Sequence, residues 1–139
     1  MLFLFAAAAD LVLWMLHIAA IFIGHDAYVF LRAGRVMAEA DANGENWPAI
    51  LTLAVATVFL AWAIVTYWAN TERRFAGLAR KLVVAIGIIF VLRGCLIFFQ
   101  LGGYTLASDG ELPQIRDYVF SLAALGIGAL HLSAAIWSR

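Results

Sequence analysis

Few side chains in this 139-residue sequence could do chemistry, and most of those stand alone inside long apolar runs. His17 and His131 form the first constellation. With 11–31 as the first membrane span, His17 lies about 9 Å from the inner end of its helix and His131 about 9–10 Å from the inner end of its own. Two histidines at one level on two helices are what axial ligation of a b-type haem requires. Ala124, Gly128 and Ala135 share the His131 face, and such small side chains leave room for a porphyrin edge. The same residues equally allow close helix packing without a cofactor, the histidines then being hydrogen-bonded packing groups. The level match also depends on the window: it fails if the first span is 2–23.

Arg93 is the most costly residue in the chain. It sits about 16 Å from the inner end of its apolar run, where a charge costs roughly 2.5–3.5 kcal/mol unless it finds a partner or water. It is expected to face protein, with Gln100, seven residues on, sharing its face. Asp26 is the first choice of intramembrane partner; Asp10 or a carboxylate on another subunit is the alternative. If 11–31 spans, Asp26 lies about 21–22 Å from the inner side, within Arg93's reach; if 2–23 spans, Asp10 is the deep acid. A structural ion pair is the plain reading and a proton or substrate relay the sharper one.

These residues need helices to position them. At 100° per residue, Asp10, Trp14, His17, Ile21, Gly24, Tyr28, Arg32 and Arg35 fall on one stripe, with His25 at its margin and Asp26 pointing elsewhere. The stripe is expected to pack inward, its polar groups bonding across the molecule; a ligand face or a partner interface is the alternative. Other chemistry is not signalled. Cys95, the lone cysteine, reads as an inert thiol in apolar surroundings. There is no phosphate-binding glycine loop, and no serine has a histidine and an acid at nucleophile-elbow spacing. His25 and Asp26 are adjacent, so on a helix they face different ways.

Composition sets the class. Hydrophobic residues make up 65% and charged ones 13%, with mean hydropathy +0.95, against about 45–50% and 25% in soluble domains. Nine basic and nine acidic residues give no net charge, so no basic patch points to nucleic acid. A single cysteine excludes an intrachain disulfide framework. Four apolar stretches stand out, over about 2–31, 49–69, 82–101 and 118–137. In hydrocarbon the backbone must satisfy its own hydrogen bonds, so these predict helices; no ten-residue alternation favours a barrel. The expected fold is all-α: one domain, 1–139, a polytopic membrane protein with four transmembrane helices in an antiparallel bundle. Asp41, Asn43 and Gly44 predict a polar loop, Pro48 suits a first helical turn, and Asp109-Gly110 predicts a turn before Leu112-Pro113. The N-terminus has no basic region of the signal-peptide kind, so Met1 is expected to begin the mature chain.

Orientation follows from Lys and Arg. Arg73, Arg74, Arg80, Lys81 and Arg139 fall on one side, against Arg32, Arg35 and Arg116 on the other. The positive-inside rule then puts both termini and the middle loop in the cytoplasm. Trp47 is expected at the outer interface, with Trp62, Tyr67, Trp68 and Trp137 toward the inner one.

Two stretches carry a family resemblance: Gly24-His-Asp-Ala-Tyr-Val-Phe-Leu-Arg-Ala-Gly-Arg35 and Ala85-Ile-Gly-Ile-Ile-Phe-Val-Leu-Arg-Gly94. With Thr52–Trp62 between them, they resemble a family of small four-helix inner-membrane proteins of bacteria, uncharacterised in activity. The resemblance implies no reaction, and it implies that Arg93-Gly94 is a fixed structural feature. Leu16-His17 followed by Gly24 is similar, more loosely, to the start of haem-containing membrane protoporphyrinogen oxidases and copper-resistance D-type proteins. The chain departs from the oxidases in having a single lysine, Lys81, in a basic loop.

Four helices with short loops leave no soluble catalytic domain and no evident transport path. The expected function is therefore non-catalytic: an accessory or scaffold subunit of a larger bacterial membrane complex, with respiratory or photosynthetic assemblies as plausible hosts. Its partners would be the lipid bilayer and other integral subunits. The alternative is a b-type haem protein, ligated by His17 and His131, in electron transfer or tetrapyrrole oxidation. A homo-oligomeric pore is the third.

Overall fold

The computed structural model describes residues 1–71, 76–104 and 112–137, and every element among them is helical. In order these are α1 (Leu2–Ile23), α2 (His25–Phe30), α3 (Arg35–Ala42), α4 (Trp47–Thr71), α5 (Ala76–Gly94), α6 (Leu96–Leu101) and α7 (Ile115–Trp137). Four stretches are long and apolar enough to cross a membrane: Leu2–Ile23, Trp47–Thr71, Gly77–Leu101 and Ile115–Trp137. Only 22–28% of each apolar window is buried, so most of this hydrocarbon faces outward. Water would tolerate that surface poorly, whereas lipid tails match it. Arg73, Arg74, Arg139 and the Asp109-Gly110 turn, used in the expectations above, lie outside the described residues.

The first span does not run on to Leu31. Gly24 takes φ 74° and ψ −136°, a conformation that L side chains rarely adopt. A Cβ there would also stand 2.7 Å from an Asp41 carboxylate oxygen. The chain therefore turns at Gly24, and Ala20 at the end of α1, Ala27 and Tyr28 of α2 and Ala38 of α3 pack together. The His25 ring fixes this corner, Nδ1 lying 2.9 Å from the Ala38 carbonyl. Helix α3 fills the connection before the predicted polar loop: Asp41 falls in its last turn, while Asn43 and Gly44 form the turn that follows, Gly44 with φ 80°.

The other helices begin earlier than their apolar runs. Helix α5 takes in Arg80 and Lys81, since no helix breaker separates them from Leu82. Helix α7 starts at Ile115, where Asp117 supplies an acid in the first turn and accepts the Gln114 N–H at 2.8 Å. Between α5 and α6, Cys95 has ψ −12°. On either side of this junction Gln100 is buried while Arg93 is exposed. The shared face expected for these two residues is not formed.

Helix α1 packs on α4 and α7, and α5 packs on α7 and α4. One apolar core gathers Phe3, Ala69, Ala79, Val83 and Ala134; another gathers Ile86, Phe90 and Ala124 with Phe59 and Trp62. Trp62 packs edge-on against Phe59 and Phe90. Helices α5 and α7 approach closely at Gly87 and Gly128, and again where Gly94 meets Leu125. A Cβ on Gly128 would lie 2.9 Å from the Gly87 carbonyl oxygen, and one on Gly87 would lie 3.2 Å from the Gly128 carbonyl. Of the small residues on the His131 face, Gly128 thus serves backbone contact, while Ala124 and Ala135 pack in the apolar clusters.

Candidate functional site

With α1 running from Leu2 to Ile23, Asp10 lies about 12 Å along it and His131 about 9 Å from the far end of α7. The two meet. His131 Nε2 is 3.0 Å from Asp10 Oδ2, and neither side chain is exposed at all. Thr66, on α4 and also fully buried, points its hydroxyl at the same oxygen from 3.5 Å. His131 Nδ1 lies 2.9 Å from the Ile127 carbonyl. The site therefore joins the first, second and fourth spans.

The hydrogen bonds count the protons. A carbonyl only accepts, so His131 Nδ1 carries a hydrogen that it donates to Ile127. The Nε2–Oδ2 contact needs one more, held on either atom. Imidazolium with carboxylate and imidazole with carboxylic acid contain the same number of protons, and each pair sums to zero charge. The pairing thus places two titratable groups in the interior without a net charge. Asp10 Oδ1 is also buried and has no hydrogen-bond partner among the described residues.

An aromatic cluster adjoins the pair. Phe90 stacks on His131 at 5.6 Å between centroids and on Phe59 at 6.2 Å, while Phe59 meets His17 at 4.9 Å. The His17 Nδ1–H donates to the Leu13 carbonyl at 2.7 Å. Two phenyl rings thus separate the histidines along this chain of contacts. Their expected equal depth is not found either: His17 is about 22 Å from the start of α1, against about 9 Å for His131 from the end of α7. Both His131 nitrogens are engaged by protein oxygens, so iron ligation there would first require the Asp10 contact to break.

The Arg93 side chain is exposed on α5, and Asp26 is exposed on α2. No ion pair joins Arg93 to Asp26 or Asp10 among the described residues, and Asp10 is taken by His131. Of the stripe expected along the first helix, which ends at Ile23, Asp10 bonds across the molecule, His17 bonds within its own helix and Arg35 pairs with Glu39. Besides Asp10, the Arg32 guanidinium meets the Asp117 carboxylate at 3.1 Å, with 10% and 7% of the side chains exposed. Gln100 accepts from the Ser121 hydroxyl at 2.9 Å through its side chain and from the Tyr118 hydroxyl at 3.1 Å through its backbone.

Thr66, Ser121 and Asp117 were not singled out in the sequence. The available signal was polarity at depth: with 2–23 as the window, Asp10 and His131 become the two titratable groups at one level. No protein-family model, curated protein or solved structure matches this chain.

Proposed function

We propose that the chain is a non-catalytic accessory or scaffold subunit of a larger bacterial membrane complex. In this reading its four spans form an antiparallel bundle in the inner membrane, with both termini and the middle loop in the cytoplasm. The Asp10–His131 pair clasps the first span to the last and gives the subunit a rigid interior.

Arg93 carries the proposal. Its side chain is exposed, eight residues short of the Leu101 end of the third span, about 12 Å along the axis. The Cα–Cβ bond of a helical residue tilts toward the helix N-terminus. Arg93 is therefore aimed toward the more distant surface, and reaching the nearer one runs against that direction. A guanidinium in this position is far better met by a carboxylate on an adjacent subunit, which it can hold with two hydrogen bonds. Lysine, a point charge, would match that site less well.

Purification of the tagged chain in mild detergent tests the proposal. A stoichiometric companion chain with an acidic residue inside a span, lost in Arg93→Leu, supports it. A Soret band with one haem per chain and no companion would instead favour a haem protein.

A further inference from the structure

Away from the Asp10–His131 pair, a cavity of about 210 Å³, open on one side, lies between the end of α1, α2, the start of α3 and α4. Ala20, Leu51 and Val55 contribute apolar wall, and three polar side chains, His17, Tyr28 and Thr52, also line it. A dry cavity of about 150 Å³ holds benzene, so this one is large enough for a substituted six-membered ring.

The polar groups are incompletely used. Tyr28 is 1% exposed and Thr52 5%. The Thr52 hydroxyl donates to the Pro48 carbonyl at 2.8 Å, so its hydrogen is not available to the Tyr28 oxygen, 3.4 Å away. That separation exceeds the usual O–H···O range of about 2.5–3.0 Å. The Tyr28 hydroxyl hydrogen therefore has the Thr52 oxygen as its acceptor, across that long 3.4 Å separation. His17 gives its Nδ1 hydrogen to Leu13, which in the neutral ring leaves a lone pair on Nε2. The cavity lining thus combines one weakly held donor, Tyr28, and one acceptor, His17 Nε2, with an apolar wall.

We propose that this cavity binds the hydroxylated ring of a lipid-soluble quinol. The ring oxygen accepts from Tyr28, its O–H donates to His17 Nε2, and the ring body packs on Ala20, Leu51 and Val55. A quinone can accept from Tyr28 but has no hydrogen to give His17, so the site selects the reduced form. Binding alone is involved; no electron moves.

The test is equilibrium binding of a short-tailed dimethoxy-methyl-benzoquinol, and separately of its quinone, to the full chain in phosphatidylcholine nanodiscs. Saturable quinol binding about tenfold tighter than quinone binding is expected, one hydrogen bond being worth about that factor. Tyr28→Phe weakens both ligands. His17→Phe brings quinol down to the quinone level, while His17→Gln, which keeps an acceptor, retains part of the preference. Leu51→Trp, which fills the cavity without touching a polar group, removes both. Equal binding of the two forms, a preference that survives His17→Phe, or displacement of the probe by a plain decane tail would overturn the assignment. The last result would identify the occupant as a lipid chain.

Discussion

The Asp10 carboxylate and the His131 imidazole face each other at 3.0 Å across the first and last spans, both wholly enclosed. Two titratable groups so placed stabilise only as a pair, because each without the other is a buried polar group lacking its main partner. Asp10→Ala or His131→Ala is expected to destabilise by about 3–5 kcal/mol, and the double mutant by clearly less than the sum. Reversible unfolding in mixed detergent micelles reads all three. Additive losses would mean that the two side chains contribute independently.

The approach of α7 to α5 gives a second expectation with an internal control. A methyl on Gly128 would stand 2.8 Å from the Val91 nitrogen, whereas one on Gly126 meets nothing within 4 Å. Gly128→Ala should cost about 1–3 kcal/mol by forcing the helices apart. Gly126→Ala should be neutral or slightly stabilising through helix propensity. The same unfolding assay separates them, and equal effects would contradict the close approach.

Arg32 holds a left-handed backbone, φ 58°, beside its ion pair with Asp117. Left-handed geometry costs a non-glycine residue about 1–2 kcal/mol. Arg32→Gly loses the pair but relieves the backbone, so it should be about 1 kcal/mol less damaging than Arg32→Ala. Thermal inactivation midpoints of the two variants decide; the reverse order would place the strain elsewhere.

Topology is checked by impermeant thiol labelling in a Cys95→Ala background. A cysteine at Asn43 should label in intact spheroplasts and one at Thr71 should not, as the Lys and Arg distribution requires. The opposite pattern would invert the chain.

The four apolar spans were legible because hydrocarbon leaves the backbone little alternative to a helix. The inward-facing polar stripe was legible in part: Asp10 and Arg32 do reach partners on other helices, although the helix breaks at Gly24 between them. The choice of those partners was not. It turned on where the first helix stops, and Gly24 is a single residue whose φ decides that. Asp10 rather than Asp26 thereby became the deep acid, and His131 met it instead of sharing a level with His17. The exposure of Arg93 depended on which face of α5 packs on α4 and α7, which hydropathy does not register.

The most direct measurement places a photoreactive residue at Ile89, one turn before Arg93 and also exposed. Irradiation of native membranes should yield one dominant adduct between this chain and a different integral-membrane chain that carries an acidic residue within a span. Arg93→Leu should abolish the adduct, and exchanging Arg93 with that acid should restore it. An adduct with lipid alone, or only with a second copy of the same chain, would contradict the subunit assignment.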